Sequence, residues 1–433
     1  MTSGTVATIM FTVFGLLVIA RVPVSFALGL ACVPVFFIEP RLTPMLLLNE
    51  MWKSYDAFIL LAVPFFLLAA NLMNSAGITE RLVTLSRALV GHLPGGLGHI
   101  NVMVSMLFAG ISGSSTADAA GIGSLLIPAM KKQGYDASFT VAITATSSVM
   151  GVIIPPSILM IVWGGLMSVS IGGLFLAGLI PGILIGLSQM ATVLVYAKMR
   201  NYPVYARASI PEFFQAFSGA LLALLSPAII VGGVVGGVFT PTEASVVAVL
   251  YSGFLGLVVY RTITPKGLPL VMYDSARFAA ISLFCIGTAS AFGWLLAYFR
   301  IPKVIVASMS GIGAGTIGTG LLIALAFLII GLFIDAIPAI IILGTILQPL
   351  AEHAGLHPIH FAIIGVVSLA FGLVTPPYGL CLLIACAIGE VKLKSALRDV
   401  IILLIPMLLI LLIIILFPDL ILWLPRLFLP KFV

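Results

Sequence analysis

The sequence predicts an all-α protein that crosses a lipid bilayer about ten times and is assembled from two inverted copies of one unit, the plan of a secondary transporter. Three observations carry that expectation. Of the 433 residues, 61% are hydrophobic and only 8% are charged, whereas a soluble domain carries about a quarter charged residues. A segment near residue 110 recurs near residue 331. The basic residues fall unevenly on the two sides of the predicted spans.

The repeat is read directly. Residues 110–156 and 331–377 align without a gap at an offset of 221, and seven of the nine Gly/Pro positions of the first stretch coincide. The pairs are Gly110/Gly331, Gly123/Gly344, Pro128/Pro349, Gly134/Gly355, Gly151/Gly372, Pro155/Pro376 and Pro156/Pro377. Fewer than about one such coincidence is expected by chance at this Gly and Pro content. In a very apolar chain, a duplicated pair of Gly/Pro-interrupted segments points to a transporter's binding site.

Apolar segments follow in order near 4–20, 22–38, 57–75, 97–109, 119–130, 138–168, 174–198, 217–238, 243–260, 278–298, 318–333, 337–350, 361–390 and 399–418. The first has no basic flank or cleavage site and reads as a retained span rather than a signal peptide. The pairs 97–109 with 119–130 and 318–333 with 337–350 are too short and glycine-rich for separate crossings, so each reads as a re-entrant hairpin. Segments 138–168 and 361–390 each contain a Pro-Pro pair, which predicts a helix broken in mid-membrane. The expected organisation is therefore N-terminal scaffold spans in 1–56 and a first repeat in 57–168, holding an arm, a cytoplasmic-side hairpin and a broken helix. Further scaffold spans fill 169–277. A second repeat with an outer-side hairpin follows in 278–390, and a last scaffold span in 391–433. The arms are expected over 78–96 and near 300–316.

Placing 168–174 outside puts fourteen Lys/Arg inside and six outside, out of 20 in all. That satisfies the positive-inside rule, and the mirror arrangement violates it. Both termini are then expected outside. Three spans separate the copies, so the second is inverted and the two tips approach each other near the midplane. The net charge of +6 reports topology here rather than nucleic acid.

The first tip, Gly110-Ile-Ser-Gly-Ser-Ser-Thr-Ala-Asp118, concentrates hydroxyls where a helix is interrupted. Freed carbonyls and hydroxyls are hard oxygen ligands suited to Na⁺, and the helix N-terminus that follows suits an anion. It faces the break Gly151-Val-Ile-Ile-Pro-Pro156. The bland reading of Ser112–Thr116 is a set of caps. The second tip, Gly331-Leu-Phe-Ile-Asp335, faces Gly372-Leu-Val-Thr375-Pro-Pro-Tyr378. Asp335, an ionisable group at membrane depth, reads equally as a functional group or as the cap of the next helix. Asp118 reads as the acidic half of a Ser115-x-x-Asp118 capping box.

Other patterns point to structure. GIGAGTIG (311–318) has dinucleotide-loop spacing but no strand before it. His353, His357 and His360 have helical spacing but fall in an outer loop. GGVVGG (232–237) reads as close helix packing, Glu243 as a cap, and Cys32, Cys285, Cys381 and Cys386 as core. No hydrolase, zinc or P-loop pattern occurs, and no nucleophile–base pair lies within the spans, which argues against an intramembrane enzyme.

SGSSTADAAGIGSLLIPAM, GVIIPPS and GLVTPP, in this order and over essentially the whole chain, resemble the large membrane (DctM-like) subunit of tripartite ATP-independent periplasmic (TRAP) transporters. The resemblance implies Na⁺-driven uptake of an organic acid by an elevator-type movement of the repeat core, with Na⁺ as coupling ion and no other cofactor. It implies two partners, a small four-span membrane subunit and a periplasmic substrate-binding protein. It further implies one sodium site at Ser112 and the backbone of Ala109, Gly151, Ile154 and Pro156, and another at Gly331, Gly372, Thr375 and Tyr378. Substrate would lie near Ser114, Ser115, Thr116 and Asp335. The alternative is a stand-alone divalent-anion:Na⁺ symporter.

Overall fold

The structure is a computed structural model that describes residues 3–304, 315–377 and 379–432. Most of the expected second arm and Tyr378 lie outside the described residues. All regular structure among the described residues is helical.

The chain opens with α1 (Ser3–Ile19) and α2 (Val24–Ile38), packed on each other. Helix α3 (Pro44–Tyr55) was not anticipated, because Asn49, Glu50 and Lys53 interrupt its apolar pattern; no residue of it is buried. The first copy follows. Helix α4 (Phe58–Ser75) leads to the amphipathic α5 (Ile78–Val90), which buries Ile78, Leu82 and Leu85 and turns Glu80, Thr84 and Arg87 outward. Helices α6 (Gly96–Ser112) and α7 (Ser115–Lys132) form the first hairpin. The first broken helix is α8 (Ala137–Val152) and α9 (Ile158–Met167). Three helices then separate the copies: α10 (Ile171–Arg200), α11 (Ile210–Val235) and α12 (Pro241–Val259). The 31-residue α13 (Leu268–Tyr298) starts ten residues before the apolar segment that announced it. Its first turns carry Tyr273, Asp274 and Arg277, which masked the helix.

The second copy continues with α14 (Gly315–Gly331) and α15 (Ala336–His353), the second hairpin. One turn of α15, Ile340–Gly344, is π-helical. The second broken helix is α16 (Pro358–Gly372) and α17 (Leu380–Gly389). Helix α18 (Leu393–Leu416), the short α19 (Pro418–Phe428) and a 3₁₀ turn at Pro430–Phe432 complete the described chain. Seven of the described helices are long and apolar enough to span a bilayer, and both hairpins and both broken helices supply shorter ones.

Lipid offers no hydrophobic force between helices, so close packing and hydrogen bonds hold the first copy together and seat it on α10. On α10, Gly178, Gly182 and Gly186 form a bare stripe. A methyl group at these positions would lie 2.4 Å from the Ile153 carbonyl oxygen, 2.3 Å from the Ile154 side chain and 2.4 Å from Met106. The stripe thereby seats the first helix break and α6 directly on α10. Between α6 and α8, Asn101 donates to Thr144 (2.7 Å), Ser147 to Asn101 (3.0 Å) and Ser105 to Ser147 (2.9 Å). Each such bond within a membrane contributes about 0.6 kcal/mol.

At one end of this bundle, Asp399 of α18 accepts from Ser138 (2.7 Å), Tyr196 (2.9 Å) and Arg200 (3.2 Å). Arg200 also reaches Asp136 at 2.7 Å, which accepts from Tyr202 at 2.6 Å. This cluster ties the start of α8, the end of α10 and the start of α18 together.

Glu243 and Thr240 form a reciprocal capping box. All four cysteines are buried and free. His357 caps α16 through Nδ1, and buried His360 pairs with the Ile414 carbonyl at 2.9 Å. No metal-binding group of His, Cys, Asp or Glu occurs among the described residues. Residues 232–237 do not form the expected close helix packing. Gly232 and Gly237 face open space, and Gly233 is covered by Phe239 from the same turn. Those glycines end α11 and turn the chain; they do not pack two helices.

Candidate functional site

The first tip sits on the first break. Gly113 has a φ of +63° and ends α6. Its carbonyl accepts the Ile158 N–H at 3.2 Å, across the break. Ser115 donates to the Val149 carbonyl at 3.3 Å. Pro155 and Pro156 have no N–H, so the carbonyls of Gly151 and Val152 lose their regular helical partners. Val152 accepts instead from the Ser157 hydroxyl at 2.7 Å.

Asp118 is the residue the sequence reading misjudged. The N-cap of α7 is Ser114, whose hydroxyl accepts from Ala117 N–H, and Ser115 is turned to the break. Asp118 therefore caps nothing. It is fully buried, and Oδ1 accepts a hydrogen bond from Ser112. Oδ2 is buried and has no hydrogen-bond partner among the described residues. It points at Gly151, where a methyl group would come within 2.3 Å of it. A carboxylate oxygen left bare in a dry interior is costly unless a cation meets it. Its orphaned oxygen, the Ser112 hydroxyl and the break at Gly151 form a hard-oxygen donor set that fits Na⁺.

The other members of the expected first ion cage divide. Pro156 lies against Gly113, its carbonyl 2.9 Å from the position of a Cβ there. The Ala109 carbonyl accepts from Gly113 N–H at 3.3 Å. Ile154 stays in the break, its side chain filling the space over Gly182. Ser114 and Thr116 are half-buried and share a hydrogen bond of 3.1 Å, whereas Ser115 is buried on the break side.

The second tip meets the second break through bare backbone. A Cβ on Gly372 would lie 2.6 Å from Gly331 Cα and 2.9 Å from Gly331 O. The Gly372 and Leu373 carbonyls already accept from Thr375 N–H (3.1 Å) and Cys381 N–H (2.9 Å). The Thr375 hydroxyl donates to Phe371 O at 2.7 Å, which leaves its lone pairs directed away from that bond. Asp335 is half-buried and does cap its helix, accepting from Ala336 N–H at 2.8 Å. The two copies interlock: α9 packs on α15 and the turn Val149–Val152 on α16.

Each copy thus carries one carboxylate at its tip, at different registers. The 221 offset places Ala339 opposite Asp118 and Ser114 opposite Asp335. The signal for Asp118 is its place one helical turn beyond the tip, on the side of Ser112, and its capping-box spacing obscures it. The buried ladder of Asn101, Thr144 and Ser147 had no such signal, because its partners are some forty residues apart.

Two hairpin tips, each seated on a broken helix of its own copy within long apolar helices, define a polytopic membrane transporter. Residues 11–420 match the family model described as "Tripartite ATP-independent periplasmic transporter, DctM component". The chain is 38% identical to the sialic acid TRAP transporter large permease protein SiaM of Vibrio cholerae, over 95% of this chain and 97% of that one. It is 37% identical to the C4-dicarboxylate TRAP transporter large permease protein DctM of Pseudomonas aeruginosa, over 81% and 82%. The fold is similar to that in the crystal structure of the Alcanivorax borkumensis YdaH transporter, with a TM-score of 0.63 at 14% identity, covering 86% of this chain and 87% of that one. The chain belongs to the DctM family and is a large permease subunit of a TRAP transporter, a multi-pass membrane protein of transport and not an enzyme.

Proposed function

We propose that this subunit carries an organic acid inward across the bacterial inner membrane, coupled to Na⁺. The observation that carries the reading is Asp118: a buried, partnerless carboxylate oxygen aimed at the helix break beside the Ser112 hydroxyl. One sodium site then comprises Ser112, Asp118 and backbone oxygens of Ala109, Gly151, Ile154 and Pro156. A second comprises Gly331, Gly372, Thr375 and Tyr378. The acid lies between the tips, near the Ser114–Thr116 pair and Asp335, with Ser115 bracing the first tip from behind. The N-terminus of α7 favours a carboxylate there. Relatives named for sialic acid and C4-dicarboxylates support a carboxylate as cargo.

In this reading a periplasmic binding protein delivers the acid, and a small four-span membrane subunit completes the complex. The repeat core shifts as an elevator against the remaining spans, and both termini face the periplasm. The test is uptake into proteoliposomes holding both membrane subunits, with the binding protein outside. Transport should collapse when external Na⁺ is replaced by K⁺. Undiminished uptake in K⁺ would remove the sodium assignment.

A further inference from the structure

Alongside α5, where it passes the segment joining α10 to α11, the protein forms a cleft of about 780 Å³. Its walls present three guanidinium-bearing side chains, Arg81, Arg87 and Arg207, against a single carboxylate, Glu212. Glu212 is already committed: it accepts from the Ser209 N–H at 2.7 Å in the capping box that starts α11. Arg81 is held in place, lying 3.8 Å over the Tyr260 ring and donating to the Gly219 carbonyl at 3.5 Å. Arg87 lies 5.3 Å over the Tyr205 ring. Arg207 is exposed on the connecting segment. The cleft thus holds a surplus of two positive charges, and two of the three cations are oriented by aromatic faces.

Its surroundings distinguish the ligand. Between the arginines the walls are apolar, formed by Val83, Ala88, Ala206, Ala208 and Ala216, the last of these on α11. A free anion has no use for that apolar lining, whereas acyl chains do. All three arginines lie on the side that the charge distribution assigns to the cytoplasm, where basic pockets between membrane helices take anionic headgroups.

We infer that the Arg81–Arg87–Arg207 cleft binds the phosphodiester headgroup of an anionic phospholipid, whose acyl chains lie along α11. The site is separate from the tips. It adjoins the junction between the hairpin and the α10–α11 connection, where Tyr205 N–H bonds Gly91 O at 3.2 Å and Gly96 N–H bonds Pro203 O at 3.3 Å. A lipid seated there braces that junction.

Native mass spectrometry of the detergent-purified membrane complex tests the site. With equal amounts of phosphatidylglycerol and phosphatidylcholine, the wild type should retain about ten times more of the anionic lipid, as a gain of 1.4 kcal/mol corresponds to a factor of ten. The double variant Arg87→Gln with Arg207→Gln should lose that preference, and Arg87→Lys with Arg207→Lys should keep most of it, since charge is retained. Should the double glutamine variant not fold, Arg207→Gln alone, at an exposed position, should still halve the preference or more. An unchanged preference in the glutamine variants overturns the site. Displacement of the lipid by millimolar inorganic phosphate overturns the lipid assignment in favour of a free-anion site.

Discussion

The Asp118 carboxylate stands directly over the bare backbone of Gly151, so close that a methyl group at 151 would lie 2.9 Å from its Cγ. The hairpin tip and the broken helix are therefore fitted to each other at a point where neither can grow. Gly151→Ala should cost about 1–3 kcal/mol by overpacking and push Asp118 off the break. A lowered unfolding midpoint together with loss of sodium-dependent uptake is the expected result. A variant with wild-type melting would show that the tip is loosely seated.

Asp118→Asn keeps an acceptor for the Ser112 hydroxyl and removes the charge. If Oδ2 meets sodium, saturating Na⁺ should raise the melting temperature of the wild type and leave the variant nearly unmoved. Binding at a hundredfold excess over its dissociation constant stabilises by about 2.7 kcal/mol. Equal sodium-induced shifts in both proteins would exclude Asp118 as a ligand.

Asp335 caps α15, and Asn caps a helix almost as well as Asp. Asp335→Asn should therefore melt within a few degrees of wild type whatever its role. A strong drop in uptake then assigns the carboxylate to ion or substrate. Uptake near wild type leaves it a cap.

Ser112→Ala and Thr375→Ala should each raise the sodium concentration needed for half-maximal uptake, while Thr375→Ser restores it. The serine retains both the donation to Phe371 O and the free lone pairs. Normal sodium dependence in both alanine variants would refute the ligand sets.

At the α8–α10–α18 cluster, Arg200→Gln leaves the buried Asp399 without its cation and should cost about 2–3 kcal/mol. Asp136 titrates below the usual carboxylate range, chiefly because Tyr202 donates to it and secondly because Arg200 pairs with it. Its stabilisation is present above about pH 4 and is lost as the pH falls through the lowered value. Acid unfolding of Asp136→Asn should accordingly be shallower than that of the wild type.

Much of this was legible in the chain. Pro-Pro pairs announce broken helices because proline withholds an N–H, and the Gly/Pro register exposes the duplication whatever the intervening side chains. Amphipathic pieces were harder. Helix α3 and the first turns of α13 carry charges that break an apolar run, so hydropathy hides them. Asp118 was misread because Ser115-x-x-Asp118 has capping-box spacing. Whether a serine caps or turns away depends on where the chain bends, and the bend at Gly113 moves the cap to Ser114. Long-range fits, such as the stripe Gly178–Gly182–Gly186 against Ile153, Ile154 and Met106, leave one half of the contact unmarked in sequence.

The polar ladder between α6 and α8 has a consequence for biogenesis. Asn101 and Ser105 are made before their partners Thr144 and Ser147. Until α8 follows, the Asn101 amide and the Ser105 hydroxyl lack the Thr144 and Ser147 partners they have in the folded protein. The polar seam of the first hairpin is therefore complete only once α8 is in place beside it. Truncating the chain before Ala137 should accordingly leave the hairpin without its seam, however complete its two helices are.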